Sequence, residues 1–237
     1  MNSLKKYFSL IHEHPDWFIN KGEVGEIKII TDEKRILAEQ KKIRARLKKE
    51  GNPPNWIDIG VLSEDQWFYI LRDMVEFSDG KVGGYTRLIN RKSQEKGGYN
   101  AVMMCVQDDK VLLIKIFDHW ERRWSWEFPR GFGEPGLSAE KNARKELQEE
   151  IGVSNVKLTC LTKVKGGKGG TAVFLAEIPK GQKITLETEE GISKYRWVKM
   201  SKLKQIVKKG QLSDWFSLWA YTLAENFHSD TKEQSHV

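Results

Sequence analysis

The chain has 237 residues, 39% of them hydrophobic and 31% charged, with a formal net charge of +7. That length accommodates one large domain or one domain with a smaller companion, and the composition is that of a water-soluble globular protein. No run reaches the roughly 18 apolar residues of a membrane span, and the opening MNSLKKYFSL has neither a continuous apolar stretch nor a small-residue cleavage site, so neither a span nor a signal peptide is expected.

Residues 1–62 are expected to form a small, mainly helical N-terminal module. Ser3 to His14 has the pattern of an amphipathic helix stopped by Pro15. Asp32 to Glu50 predicts a second helix, acidic at its start and basic at its end, which suits the helix dipole. Gly51-Asn-Pro-Pro54 terminates it. The basic end (Arg44, Arg46, Lys48, Lys49) is read as a solvated face, with a nucleic-acid contact as the alternative.

A second domain is expected over 63–228, followed by a polar tail over 229–237. Phe68 to Phe77 and Tyr85 to Ile89 predict a hairpin around Ser78-Asp79-Gly80; Asn100 to Val106 and Lys110 to Phe117 predict another. His119 to Trp126 follows as an aromatic, basic loop. Val156 to Val164 and Thr171 to Ile178 predict strands around GGKGG, and Tyr195 to Val198 a short strand. Two helices close the domain, capped by Ser201 and Ser213, and the second carries Trp215, Leu218, Trp219 and Leu223 as a core stripe. Cys105 and Cys160 fall in apolar segments and are expected as small buried hydrophobes in a reducing cytoplasm. The net positive charge favours anionic partners, nucleic acid and small phosphorylated molecules alike.

The chemistry concentrates between Trp126 and Val153, WEFPRGFGEPGLSAEKNARKELQEEIGV. Ser138 is a good N-cap, Ala139 to Ile151 a helix, and Gly152 its stop. At about 100° per residue, Ala139, Ala143, Leu147 and Ile151 form one apolar stripe, and Glu150 falls roughly 60° from Leu147, on the core side. Glu146 and Glu149 fan out beside it. Two carboxylates about 6 Å apart repel by roughly 3 kcal/mol at an effective dielectric near 20. Lys145 can pair with Glu149 at i+4, but one lysine does not balance three acids. A hard divalent cation with oxygen ligands would. Gly131, Gly133 and Gly136 allow close backbone approach in the loop before the helix.

This stretch resembles the Nudix box, G-x5-E-x7-R-E-U-x-E-E-x-G-U with U aliphatic. Gly131 opens it and KELQEEIGV (145–153) closes it. Two positions depart: Leu137 stands where the family has a Glu, and Lys145 where it has Arg, which keeps the charge without bidentate geometry. The resemblance covers about Gln66 to Asn226 and is greatest to members of the ADP-ribose pyrophosphatase type. GGYTR (83–87), VLLIKIF, WEFPRG and the final helix occupy the places such enzymes use; GGKGG lacks the proline usual there, and Asp118 replaces a common Arg.

The resemblance implies an α+β fold, an α/β/α sandwich around a mixed sheet, and a homodimer. It implies hydrolysis of a pyrophosphate bond in a nucleoside diphosphate linked to another moiety, with Mg2+ or Mn2+. Glu146, Glu149, Glu150 and the Arg130 backbone carbonyl would hold metal; Glu149 and Glu150, with Glu187, Glu189 or Glu190 of the acidic loop, would serve catalysis. Arg87, Arg122, Arg123 and Arg130 are candidate phosphate contacts and Trp124 a candidate for stacking a base. The alternatives are a 5′-end pyrophosphohydrolase acting on RNA, and a non-catalytic nucleotide sensor.

Overall fold

The computed structural model describes residues 3–91, 97–187 and 191–234, with the side chains of the last helix to Phe227. The chain divides into two compact units, Met1–Arg91 and Lys92–Val237.

In the first unit, helix α1 (Ser3–Glu13) and helix α2 (Glu33–Lys49) share a core with a four-stranded sheet. Asp32 caps α2 by accepting the Arg35 N–H at 2.7 Å. Strand β3 (Phe68–Glu76) pairs along its whole length with β4 (Val82–Asn90), while β1 (Lys28–Ile29) and β2 (Gly60–Glu64) pair with it at successive positions. Leu71, Met74 and Ile89 of this sheet pack with Tyr7, Leu10, Ile36 and Ile43 of the helices. That shared core places the division of the chain after Arg91 and not at 62, and gives the N-terminal unit a sheet as well as helices.

The second unit is built on a seven-stranded sheet: β5 (Gly98–Gln107), β6 (Lys110–Asp118), β7 (Arg123–Glu127), β8 (Arg130–Gly131), β9 (Lys157–Gly166), β10 (Gly169–Glu177) and β11 (Ile192–Lys199). The order is β11-β6-β5-β10-β9; β10 runs parallel to β5 and the other pairs are antiparallel. Alternating side chains of the central strands serve opposite faces, as a pleated strand requires. Ala101, Met103, Cys105, Leu112, Ile114 and Phe174 pack with Ala143, Leu147 and Ile151 of α3 (Ala139–Ile151). Val102, Met104, Leu113 and Val173 pack with Leu203 and Ile206 of α4 (Met200–Lys208), and with Ala220 and Ala224 of α5 (Trp215–Gln234). Helices on both faces of a mixed sheet make the α/β/α sandwich. Among the described residues, no helix is long and apolar enough to cross a membrane.

Several local expectations are revised. The aromatic loop is partly strand: β7 pairs with β6 from Asp118 to Ile114. Cys105 is buried, but Cys160 lies exposed on β9, at the end of the strand order. Asp214, not Ser213, caps α5, accepting the Ser217 N–H at 2.7 Å, and α4 starts one residue before Ser201 without a side-chain cap. Trp215 is 82% exposed; the innermost face of α5 is Ser217, Ala220, Tyr221 and Ala224, with Leu218, Trp219 and Leu223 half-buried beside it.

One feature of this sheet positions the site. Strands β5 and β6 pair only beside their turn, at Val106–Val111 and Gln107–Lys110, and then part. Beyond that point β6 takes β7 as its neighbour and β5 takes β8. The chain that fills the parting is the segment leading into α3.

Candidate active site

A cavity of about 320 Å³ opens at the parting, lined by Ala101 and Val102 of β5, Ile114 and Ile116 of β6, Glu127, Phe128, Arg130 and Gly131, the box helix and the start of α5. Local chemistry holds its helical wall in place. The Ser138 hydroxyl accepts the Lys141 N–H at 3.2 Å, and Gly152 ends α3 in the left-handed region at φ 69°. The buried stripe of Ala143, Leu147 and Ile151 then fixes the rotation of α3, and its acidic residues meet β8.

Glu150 is 3% exposed, and its Oε2 accepts the Arg130 backbone N–H at 3.0 Å. Its own carbonyl accepts the Glu187 N–H at 3.2 Å, which brings Glu187 to the end of the helix. Glu146 lies against Gly131: a Cβ built there would stand 1.8 Å from the Glu146 carboxyl carbon. Glu149 is half-exposed and paired with Lys145, whose ammonium also reaches Glu134 at 3.3 Å. These two pairings, that with Glu149 first, hold the Lys145 pKa above its ordinary value.

The loop between β8 and α3 is pinned by side-chain amides. Asn100 accepts the Gly133 N–H at 2.8 Å, and the buried Asn142 donates to the carbonyls of Tyr99 (3.2 Å) and Phe132 (3.1 Å). A Cβ at Gly133 would come within 2.6 Å of the Gly98 and Tyr99 backbone, so the loop lies flat on β5 only with glycine there.

Opposite the helix stands a group of residues that sequence reasoning did not select. Glu127 of β7 is 4% exposed and lines the cavity. It accepts the Ser125 hydroxyl and the Arg130 guanidinium, the latter at 3.2 and 3.4 Å. Burial raises its pKa, and Asp214 raises it further against the opposing effects of Ser125 and Arg130. Arg130 also lies 3.8 Å from Asp214 and 5.3 Å from the centroid of the Phe216 ring. Asp214 accepts the Ser217 hydroxyl at 2.7 Å, and that hydroxyl accepts the Phe128 N–H at 2.9 Å, tying the start of α5 to the segment after β7. The sequence signal for Glu127 was a charge between Trp126 and Phe128 in an otherwise aromatic strand.

The structure therefore gathers Glu146, Glu149, Glu150 and Arg130 around one cavity and adds Glu127, Glu134 and Phe216. The other candidates are placed elsewhere. Arg87 belongs to the first unit, where it pairs with the buried Asp73, donates to the Trp17 carbonyl at 2.8 Å and lies 4.9 Å from the Phe18 centroid. Arg122 meets His119 at 2.9 Å and the face of Phe117; Arg123 pairs with Glu121 at 3.1 Å and donates to Ser213. Trp124 packs edge-on against Phe117, 5.4 Å between centroids, and neither it nor the two arginines lines the cavity. Glu189 and Glu190 lie outside the described residues. Leu137 is half-buried and contributes nothing to the cavity lining; Glu134, three residues earlier, supplies a carboxylate there.

The donor set is entirely oxygen, the chemistry a hard divalent cation prefers. As arranged, Glu149 is held by Lys145 and Glu150 by the Arg130 N–H. Among the described residues, no three His, Cys, Asp or Glu side chains converge closely enough to hold an ion. The cradle at Gly131 nonetheless seats the Glu146 carboxylate against the loop that ends β8, on the side of Glu150.

Comparison with known proteins gives one family and one fold. The NUDIX domain family matches residues 99–217. A crystal structure described as an ADP compounds hydrolase matches with a TM-score of 0.51 at 19% identity, covering 76% of this chain and 95% of that one. No curated protein matches.

Proposed function

The chain belongs to the Nudix hydrolase family, and from that premise we propose that it hydrolyses the pyrophosphate bond of a nucleoside diphosphate linked to another moiety, with ADP-ribose or a nucleotide sugar as substrate. The observation that carries this reading is that Glu146, Glu149 and Glu150 line one side of a cavity whose opposite wall is polar and aromatic. A diphosphate fits the acidic side only with a counter-cation, and the other wall suits an organic group.

Mg2+, or Mn2+ in its place, would be held by Glu146 and Glu150 with the Arg130 backbone carbonyl, and would supply neutralisation of the diphosphate and acidification of a water. The chain's own residues supply the rest. The Arg130 N–H orients the Glu150 carboxylate at the cavity wall. Glu149, released from Lys145, or Glu189 or Glu190 of the acidic segment, takes the proton of that water. Lys145 holds the Glu149 carboxylate in position until then. A homodimer in the cytoplasm completes the reading.

The basic end of α2 gives RNA little support: Arg44 is paired with Asp58, and Arg46 lies 3.9 Å from Glu50. A second reading, a nucleotide sensor without catalysis, draws on Leu137 and on the engagement of Glu149 by Lys145. The test is a panel of ADP-ribose, nucleotide sugars, dinucleoside polyphosphates and capped or triphosphorylated RNA, each with Mg2+ and Mn2+. Turnover confined to the first two supports the proposal; binding without turnover on any supports the sensor.

A further inference from the structure

Resting on the reading above, we propose that the corner formed by Phe216, Arg130, Glu127 and Asp214 is the seat of the substrate's nucleobase, with Phe216 as the stacking surface. The sequence pointed to Trp124 for stacking and to Arg130 for phosphate, and both roles are assigned differently here.

Arg130 carries its charge into a site already supplied with two carboxylates, Glu127 at 3.2 Å and Asp214 at 3.8 Å. A guanidinium flanked in this way has no excess positive charge to offer a diphosphate, and the corner as a whole repels one. What it offers is a planar group held beside an aromatic ring, 5.3 Å from the Phe216 centroid. Phe216 is 39% exposed and still lines the cavity, so part of its ring is open on the cavity side. It is also held firmly, since the next residue, Ser217, is completely buried and bonded to Asp214 and Phe128. A rigid, part-open ring beside a locked guanidinium is a platform for a flat, neutral, polar heterocycle. The buried Glu127 carboxylate accepts hydrogen bonds from the donors of that half of the substrate, its ribose hydroxyls or exocyclic amine. The diphosphate is thereby directed across the cavity to α3. Stacking tolerates any base, so the corner selects a nucleoside without choosing strongly among purines.

Binding of etheno-adenosine diphosphate ribose without metal tests this, since the fluorescence of the etheno ring is quenched when it stacks. The wild-type chain is expected to quench it, Phe216→Leu to weaken binding about tenfold, and Phe216→Trp to restore it. Inorganic pyrophosphate, whose binding is measured separately by calorimetry with Mg2+ present, should lose no comparable affinity in Phe216→Leu. Unchanged affinity in Phe216→Leu, an equal loss for pyrophosphate, or no quenching by the wild type would each overturn the assignment. Should Phe216→Leu fail to fold, the tryptophan introduced by Phe216→Trp must itself be quenched by ADP-ribose, and its indifference would overturn the proposal equally. The two readings fail separately. Quenching without hydrolysis of any nucleotide removes the hydrolase and keeps the stack; hydrolysis with an unaltered KM in Phe216→Leu removes the stack alone.

Discussion

The carboxylate of Glu146 occupies the space that any side chain at position 131 would need: a Cβ on Gly131 would lie 1.8 Å from its carboxyl carbon. The backbone of β8 and the acidic edge of α3 therefore meet at a distance only glycine permits. Gly131→Ala must displace Glu146 or the loop. The expected result is a fall in kcat of about 100-fold, the scale of a misplacement near 1 Å, with a raised metal requirement. Steady-state kinetics across a Mg2+ titration checks it, and wild-type kinetics in the variant would show that Glu146 has no part in the site.

Glu150→Gln separates chemistry from packing. Glutamine keeps the shape of the side chain and an oxygen to accept the Arg130 N–H. Thermal stability should stay close to wild type while turnover drops by about 100-fold or more. Glu150→Ala should in addition lose about 1–3 kcal/mol, because it removes the acceptor of a part-buried N–H. Denaturant titration of both variants, alongside their rates, distinguishes the two contributions.

Arg87 is expected to matter for stability and not for substrate. The Asp73 side chain is 2% exposed and takes its charge partner from Arg87 and a hydrogen bond from Tyr7 at 2.6 Å. Burial and the Asp73 carboxylate push the Tyr7 phenol pKa up, so Tyr7 remains a donor. Arg87→Met should cost about 3 kcal/mol or more by leaving Asp73 buried and unpaired. Urea unfolding measures the loss, and KM measured on the folded variant should be unaltered.

Glu127 predicts a pH dependence with a definite sign. Its pKa is raised above the ordinary 4.5 in the folded state, burial being the main cause. The folded chain therefore holds this proton more tightly than the unfolded one. The stabilisation this provides is complete below the ordinary value and is lost as pH rises through the raised one. Glu127→Gln has no such proton to lose, so its Tm relative to wild type should rise across that window. Parallel Tm curves for the two proteins from acid to neutral pH would contradict this.

Much of the helical side of the site was legible in the sequence, because helix rotation is local information. Ser138, the Ala143–Leu147–Ile151 stripe and Gly152 determine how α3 sits, and the placement of Glu150 toward the core follows from residue spacing alone. The other wall was not legible. Glu127, Asp214 and Phe216 come from a five-residue strand and a helix start more than 80 residues later, brought together by the Ser217 bonds and by the contacts of Arg130. RWSWE alternates in the reversed sense, its buried positions being the polar Ser125 and Glu127 and its tryptophans the more exposed, so its inward side carries no hydrophobic signal. The division after Arg91 was hidden for a similar reason: β3 and β4 have the patterning of any hairpin, and only their partners assign them to the N-terminal core.

The parting of β5 and β6 also separates what can vary from what must stay. Glu127 is registered against Ile114 by the ladder between β6 and β7, and Arg130 against Val102 by that between β5 and β8. Neither position depends on the residues between Asp118 and Arg123, which only connect two strands already aligned. That turn can lengthen, shorten or acquire a new recognition segment while the carboxylates and the guanidinium keep their places. A chain built this way can remodel that turn without rebuilding the apparatus at the floor of the cavity.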